Sequence, residues 1–428
     1  MLTYALSDIA PTALQDVLKR EGVNLARIKK TAEKIVNEVR RKGDEALSMY
    51  AQEFDGFKGG SLTVTRDQVR DASKRVPKDV MRALGISKKR IENFHSRQRL
   101  SAFEYRDGCG SYGQKIVPLN RVGVYAPGGT AKYMSSVLMS CIPARIAGVK
   151  EIALCSPGKD GVIPDEIVAA ADMCGVTEIH PVGGAQSIAA MAYGTESIRP
   201  VQKIVGPGGS YVSAAKLLVR NDCEIDFLAG PSEILIIADS ASKPDSIAAD
   251  MLAQLEHDPL ARAVLVTTSQ EVLEKAKAEL CLQIEKAARK EIASQAAKKG
   301  AIFMIARNLA EAVRFSNQYA PEHLLIDVRK PRTLLKKVEN AGSVFLGSNS
   351  SVAFGDYCAG TNHILPTMGV ASMKSSLSVY DFLKIVPYQE LSAGGADMLA
   401  PIVETIALSE GLPAHAAAAR SRTKKVSN

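Results

Sequence analysis

The chain has 428 residues, 54 basic against 46 acidic, for a formal net charge of +8; at roughly 100–200 residues per domain this length implies two to four domains. Hydrophobic content of 46% and charged content of 23% exclude a disordered polymer, and 12 Tyr, 10 Phe and no Trp argue against a base-stacking nucleic-acid platform. The longest apolar runs, such as Ile234–Ala238, fall far short of the roughly 18 residues of a membrane helix, and the first residues lack the basic start and apolar core of a secretory signal.

In chain order, apolar residues at three- and four-residue spacing predict helices over Asn24–Gly43 and Lys78–Ser96. From Arg121 strands and helices alternate. Strands are expected at Val122–Tyr125, Glu151–Cys155, Glu178–Val182, Lys203–Val205 and Glu233–Ala238. Helices fall at Ser135–Ala147, Asp165–Cys174, Gln186–Tyr193 and Tyr211–Val219, with glycines at several strand-to-helix turns. A second alternation follows: helix Ser246–His257, strand Ala263–Thr268, a long helical stretch Glu271–Lys299, strand Ala301–Ile305, helix Leu309–Gln318, and strands Leu324–Asp327 and Ser343–Leu346. Beyond about Ser376 lies a separate tail, with Leu399, Ile402, Val403 and Ile406 on one apolar helix face and Gly411-Leu412-Pro413 as a stop. The expected fold is α/β, two Rossmann-like parallel-sheet domains with small helical N- and C-terminal extensions. The expected division is residues 1–22 as N-terminal extension, 23–121 with 235–375 as one α/β domain, 122–234 as the second, and 376–428 as the tail.

The seven cysteines, odd in number and without a C-x-x-C pair, argue against a disulfide framework or a zinc ribbon; a reducing, cytoplasmic setting fits best. The basic clusters Arg27–Lys30, Arg40–Lys42, Lys286–Lys299, Lys330–Lys337 and Arg420–Lys425 read mostly as solvated helix faces.

Among six histidines, His95 sits in a basic, surface-like stretch and His180 in a predicted strand near the sheet edge. The other four stand beside carboxylates, amides or turn residues. Gln254 and His257, three apart on a predicted helix, project within about 60° of each other. They offer an amide oxygen and an imidazole to a metal; taken alone they read better as an exposed polar face. Glu322-His323 stands at a strand entrance, where a bend lets neighbours converge and pairs a base for water with a base for an alcohol proton; a surface pair fits the dipeptide equally well. Asp356, in the Gly/Ser/Asn-rich stretch Gly347–Asn362, is a metal ligand or an Asx-turn. The loops Ala126–Thr130 and Gly206–Gly209 follow strands and let a backbone approach a pyrophosphate, yet neither matches G-x-G-x-x-G.

The stretch Ile225–Asp258, containing Ile-Asp-Phe-Leu-Ala-Gly-Pro-Ser-Glu-Ile-Leu-Ile-Ile-Ala-Asp and then Ala249-Asp250-Met251-Leu252-Ala253-Gln254-Leu255-Glu256-His257-Asp258, closely resembles the signature of histidinol dehydrogenases. Val122–Gly129, Ser135–Met139, Val182–Gln186, Ala320–Leu324, Gly355–Thr367 and Glu410–His415 resemble further blocks of that family, in order along nearly the whole chain. The resemblance implies oxidation of L-histidinol to L-histidine through an aldehyde, with zinc (one per subunit) and NAD, in a homodimer with shared active sites and no nucleic-acid or membrane partner. By position it implies Gln254, His257, Asp356 and His415 as zinc ligands, the last from the neighbouring subunit, with the same four also near substrate. Glu322 and His323 match the acid-base positions, Ser232, His363 and Glu410 substrate contacts, and Tyr125 and Gln186 cofactor contacts. Gly209 stands where the family often has Asn, so one side-chain contact to NAD is expected to be absent. Phe227-Leu228 replaces a common apolar-Pro pair, and Met134 stands where Pro is frequent. A related zinc and NAD alcohol dehydrogenase, or a zinc hydrolase using Glu322 as water base, are the competing readings.

Overall fold

A computed structural model describes residues 1–20, 25–128, 132–228 and 230–423. The expected boundary at 22/23, Gly129 and Thr130 of the first glycine loop, Ala229, and Lys424 and Lys425 of the last basic cluster lie outside these residues, as does the side chain of Arg27.

Two parallel sheets organise the chain. The first runs, edge to edge, Glu178–His180, Glu151–Cys155, Arg121–Tyr125, Lys203–Val205, Glu224–Ile225. The second runs Leu2–Ala5, Ala301–Ile305, Arg262–Thr267, Glu233–Ala238, His323–Asp327, Ser343–Leu346. Numbering the strands of each sheet in chain order and setting Leu2–Ala5 aside, both have the order 3-2-1-4-5, the half-Rossmann arrangement, whose ligand crevice lies where the order reverses. The strands are continuous apolar runs because helices cover both faces. Ile188, Val212 and Ile204 belong to the core on one side of the first sheet and Val124, Leu138 and Ile167 to that on the other. The second sheet divides Ile236, Leu265 and Phe303 from Ile237, Val266 and Tyr319 in the same way.

Four placements differ from expectation. The N-terminal stretch contains the helix Pro11–Leu18 but begins with a strand, Leu2–Ala5, that pairs in parallel with Ala301–Ile305. The helices between Leu25 and His95 pack on the first sheet rather than the second, because their apolar faces (Ile35, Val36, Leu47, then Val69, Leu84, Ile91) join its two cores. Glu233–Ala238 pairs wholly within the second sheet, whereas the expected division falls inside it, between residues 234 and 235. The tail also begins later than expected: Leu377 and Phe382 are still buried in the first sheet's core.

A third, antiparallel sheet was not expected. Leu383–Leu391 pairs along its whole length with Gly110–Pro118, which pairs with Phe103–Arg106 on its other edge. From it the chain enters the helices Ala393–Ser409 and Pro413–Arg420. Met398, Ile402, Val403, Ile406, Leu408 and Leu412 of this tail are exposed, together with Phe103, Tyr105, Ile385 and Tyr388 of the sheet. The long stretch Glu271–Lys299 is two helices, Gln270–Lys286 and Lys290–Gly300. No helix among the described residues is long and apolar enough to cross a membrane. All seven cysteines are free thiols.

Candidate active site

The site is built on the amino-terminal ends of two neighbouring strands of the second sheet. Glu322 directly precedes the strand His323–Asp327, which lies beside Glu233–Ala238. Both Glu322 and His323 are buried and both are held by the backbone of Glu233. The Glu233 amide donates to Glu322 Oε2 at 2.8 Å, and the Glu233 carbonyl accepts from His323 Nδ1 at 3.1 Å. The adjacent side chains therefore converge, as a strand mouth permits. Since a carbonyl only accepts, Nδ1 carries a proton, and in the neutral ring the lone pair is on Nε2. That buried Nε2 has no hydrogen-bond partner and points toward Asp356 Oδ1, 3.6 Å away. Burial disfavours the imidazolium, but Glu322 and Asp356 outweigh it and raise the pKa of His323 well above its ordinary value. For Asp356 burial again opposes charge, while His323, then His363 and His257, hold its carboxyl below the usual range.

Asp356 stands in a short helix, Val352–Tyr357, not in an open loop; six residues inside a Gly/Ser-rich segment carry too few apolar positions to show a period. Ser351, just before this helix, donates to Asp250 Oδ1 at 2.5 Å, and Asp250 lies one turn before buried Gln254 on the helix Pro244–Leu255. His257 lies beyond that helix: it ends at Leu255, and exposed His257 sits in the following bend with its amide bonded to the Gln254 carbonyl at 3.3 Å. Glu256 keeps right-handed helical backbone (φ −75°, ψ −11°), so Gln254 and His257 still stand one turn apart at the helix's carboxyl end.

His363 donates from Nδ1 to the Asp356 carbonyl at 2.7 Å, and its Nε2 lies 3.3 Å from Ser136 Oγ, in the first turn of helix Met134–Ala147. Burial lowers the pKa of His363. This contact joins the second sheet's site to the first sheet. Ser232 is half-buried immediately before Glu233, with its carbonyl accepting from the Arg262 amide at 3.0 Å. Glu410 and His415 are exposed in the tail. Among the described residues no three His, Cys, Asp or Glu side chains form a metal-binding group. His95, read as surface-like, is buried and lies 2.7 Å from Gln98 through Nδ1. His180 ends the edge strand of the first sheet and is buried.

At the carboxyl ends of the first sheet, Tyr125, Gln186 and Gly209 surround glycine turns. Tyr125 is buried, and burial raises its pKa to about 12. Gln186 is buried with Oε1 unpartnered. Asp55, from the helix Asp44–Asp55, accepts from the Gly183 amide at 3.0 Å. Gly206 has φ +111°, and a Cβ there would lie 2.1 Å from the Tyr125 carbonyl oxygen, so only glycine fits. Gly209 is exposed before the helix Ser210–Val219 and supplies no side-chain cap. The first turn of that helix is therefore not capped by the preceding side chain. Beneath this loop Lys216 Nζ bonds the Gly206 carbonyl at 2.7 Å and Asp226 Oδ1 at 2.6 Å, a buried ion pair. Sequence reasoning gave no role to Ser136, Glu233, Asp55 or the Lys216–Asp226 pair, although Ser136, Asp226 and Glu233 lie within the family-like stretches.

A family model described as histidinol dehydrogenase matches residues 18–423. The protein named histidinol dehydrogenase from Methanothermobacter thermautotrophicus is 44% identical over 414 residues, 96% of this chain and 97% of that one. Its counterpart from Methanocaldococcus jannaschii is 42% identical, covering 99% of each chain. The crystal structure of histidinol dehydrogenase from Elizabethkingia anophelis superposes with a TM-score of 0.94 at 34% identity, over 99% of this chain and 98% of that one.

Proposed function

The chain belongs to the histidinol dehydrogenase family, and on that premise we propose that it oxidises L-histidinol to L-histidine in two successive steps, as a cytoplasmic homodimer. The observation that carries this reading is the pinned Glu322–His323 pair, with the unpartnered His323 Nε2 open toward Asp356.

The residues fit both groups that such a reaction requires. Gln254, His257 and Asp356 offer oxygen and nitrogen donors from adjoining helix ends, the chemistry zinc accepts, and His415 of the partner subunit would complete the set. Zinc bound there would chelate the imidazole and amine of the substrate and neutralise Asp356, easing its pull on the His323 proton. NAD, bound at the carboxyl ends of the first sheet, would supply the hydride acceptor. Gly206, the helix start after Gly209 that no preceding side chain caps, and the unpartnered Gln186 Oε1 suit a dinucleotide.

Within this frame His323 Nε2 takes the alcohol proton as the carbinol carbon loses hydride. The resulting imidazolium keeps its Nδ1–H on the Glu233 carbonyl and faces the Glu322 and Asp356 carboxylates, which stabilise its charge. In the second step Glu322, one oxygen fixed by the Glu233 amide, uses the other to deprotonate the water that adds to the aldehyde. The hydrate, as its alkoxide with the water proton on Glu322, then loses a second hydride to a second NAD and gives its remaining hydroxyl proton to solvent, leaving the carboxylate. Ser232, His363 and Glu410 are the proposed substrate contacts, with Glu410 supplied from the tail to accept from an N–H of the amino group. The exposed apolar tail, with Ile402, Val403 and Ile406, supports a partner subunit covering it.

Metal removal tests this reading. Chelated enzyme should oxidise L-histidinol at below about a hundredth of its starting rate, and added zinc should restore it. Undiminished turnover in protein shown metal-free by elemental analysis would contradict it.

A further inference from the structure

Arg20 lies between the helix Pro11–Leu18 and the body of the protein, far from any residue already assigned a role in sequence. Its guanidinium nonetheless reaches the heart of the second sheet. Arg20 Nε donates to Glu233 Oε2 at 2.6 Å, and both side chains are buried. Nη2 donates to the Tyr319 carbonyl and lies 3.4 Å from that of Ala320. The guanidinium carbon stacks 3.9 Å from the centroid of the Tyr319 ring, whose hydroxyl also donates to Glu233 Oε2 at 3.2 Å.

These partners flank the two reacting side chains. Ala320 is one of few non-glycine residues with positive φ, +47°, and caps the helix Leu309–Tyr319 two residues before Glu322. Its left-handed turn directs Pro321-Glu322-His323 into the strand mouth. Glu233 presents the amide that holds Glu322 and the carbonyl that holds His323 Nδ1. One guanidinium thus ties the turn that delivers the pair to the strand residue that receives it. An arginine suits this task because its planar fork serves a carboxylate and carbonyls at once, which a lysine ammonium does less rigidly.

We propose that Arg20 is a positioning residue for the Glu322–His323 pair, acting through Glu233 and the Tyr319–Ala320 turn; this rests on the functional reading above. Losing the clamp lets the turn shift against the strand, and a displacement of about 1 Å at acid-base groups costs roughly a hundredfold in rate. It also loosens the Glu233 carbonyl from Nδ1, so the imidazole no longer keeps one tautomer.

The test separates position from stability. Removing Arg20 alone would leave Glu233 buried without its charged partner, whereas replacing a buried ion pair with apolar side chains of similar size often preserves stability. The Arg20→Met/Glu233→Met double variant should therefore fold and melt near wild type. Its kcat for L-histidinol should fall about 10- to 100-fold with KM within about threefold. Arg20→Lys, which keeps the charge and loses the fork, should recover part of kcat. In zinc-loaded protein, nitrogen-15 spectra taken where imidazoles are neutral should show His323 as the Nδ1–H tautomer in wild type and as a mixture in the double variant, with His323→Gln assigning the signal. A folded double variant with wild-type kcat, or with an unchanged His323 tautomer, would overturn the proposal. If wild type fails to oxidise L-histidinol, the functional reading falls, and the tautomer alone decides the role of Arg20.

Discussion

His323→Ala is expected to slow oxidation of L-histidinol by about 10²- to 10⁴-fold, the range for loss of a positioned general base. Among the described residues Nε2 is the only buried imidazole nitrogen at this strand mouth without a partner, and in the neutral ring the Nδ1–H bond to the Glu233 carbonyl leaves the lone pair on Nε2. Supplied aldehyde needs no alcohol proton removed, so the variant should retain more activity on it. Glu322→Gln should show the opposite bias. An amide keeps the size of the side chain and can still accept from the Glu233 amide at Oε1, yet it cannot deprotonate water. It should slow aldehyde oxidation by a similar factor and alcohol oxidation far less. Single-turnover rates on each substrate, measured separately, check the division; equal losses on both substrates for Glu322→Gln would contradict it.

The second large effect is expected from mixing two inactive chains. His415 is exposed on the tail helix Pro413–Arg420, whereas His257 lies by the helix that carries Gln254 and near enough to Asp356 to act on its charge. If each zinc takes His257 from one subunit and His415 from the other, His415→Ala and His257→Ala homodimers are both inactive. In a mixed dimer one site carries both lesions and the other carries neither. Random exchange of equal amounts should restore about a quarter of all sites. Recovery is read as NADH production after subunit exchange, with mixed dimers verified by two affinity tags and wild-type dimers carried through the same treatment. Verified mixed dimers without recovered activity would contradict a shared site.

The two parallel sheets were legible in the sequence because buried parallel strands are unbroken apolar runs: Glu233–Ala238 and Ala301–Ile305 sit at the expected residues. The antiparallel sheet was not. Leu383–Leu391 is largely exposed in the single chain, and its pairing partner Gly110–Pro118 lies more than 250 residues earlier. Neither stretch buries a face strongly enough to print a period-two pattern. The four-residue strand Leu2–Ala5 gains its place from Ala301–Ile305, so nothing local marks it.

The candidate site shows the same divide. Glu322 and His323 stood out as an adjacent base pair at a strand entrance, and the Glu233 backbone explains why they converge. Spacing placed Gln254 and His257 one helical turn apart, and they stand so at the end of the helix, Glu256 keeping helical backbone; the resemblance, not the period, singled them out as ligands. Glu410 and His415 have no visible reason in one chain to belong to a site at all. Arg20 was invisible because its partner Glu233 is 213 residues away. Long-range clamps of this kind leave no local signature.

The most direct measurement is the product balance of purified, zinc-loaded protein given L-histidinol and excess NAD, with other amino alcohols assayed alongside. The account predicts two NADH for each L-histidine formed, no accumulation of free aldehyde, and little turnover of amino alcohols that lack the imidazole. One NADH per substrate with an aldehyde end product, or equal rates on alcohols without the ring, would contradict it.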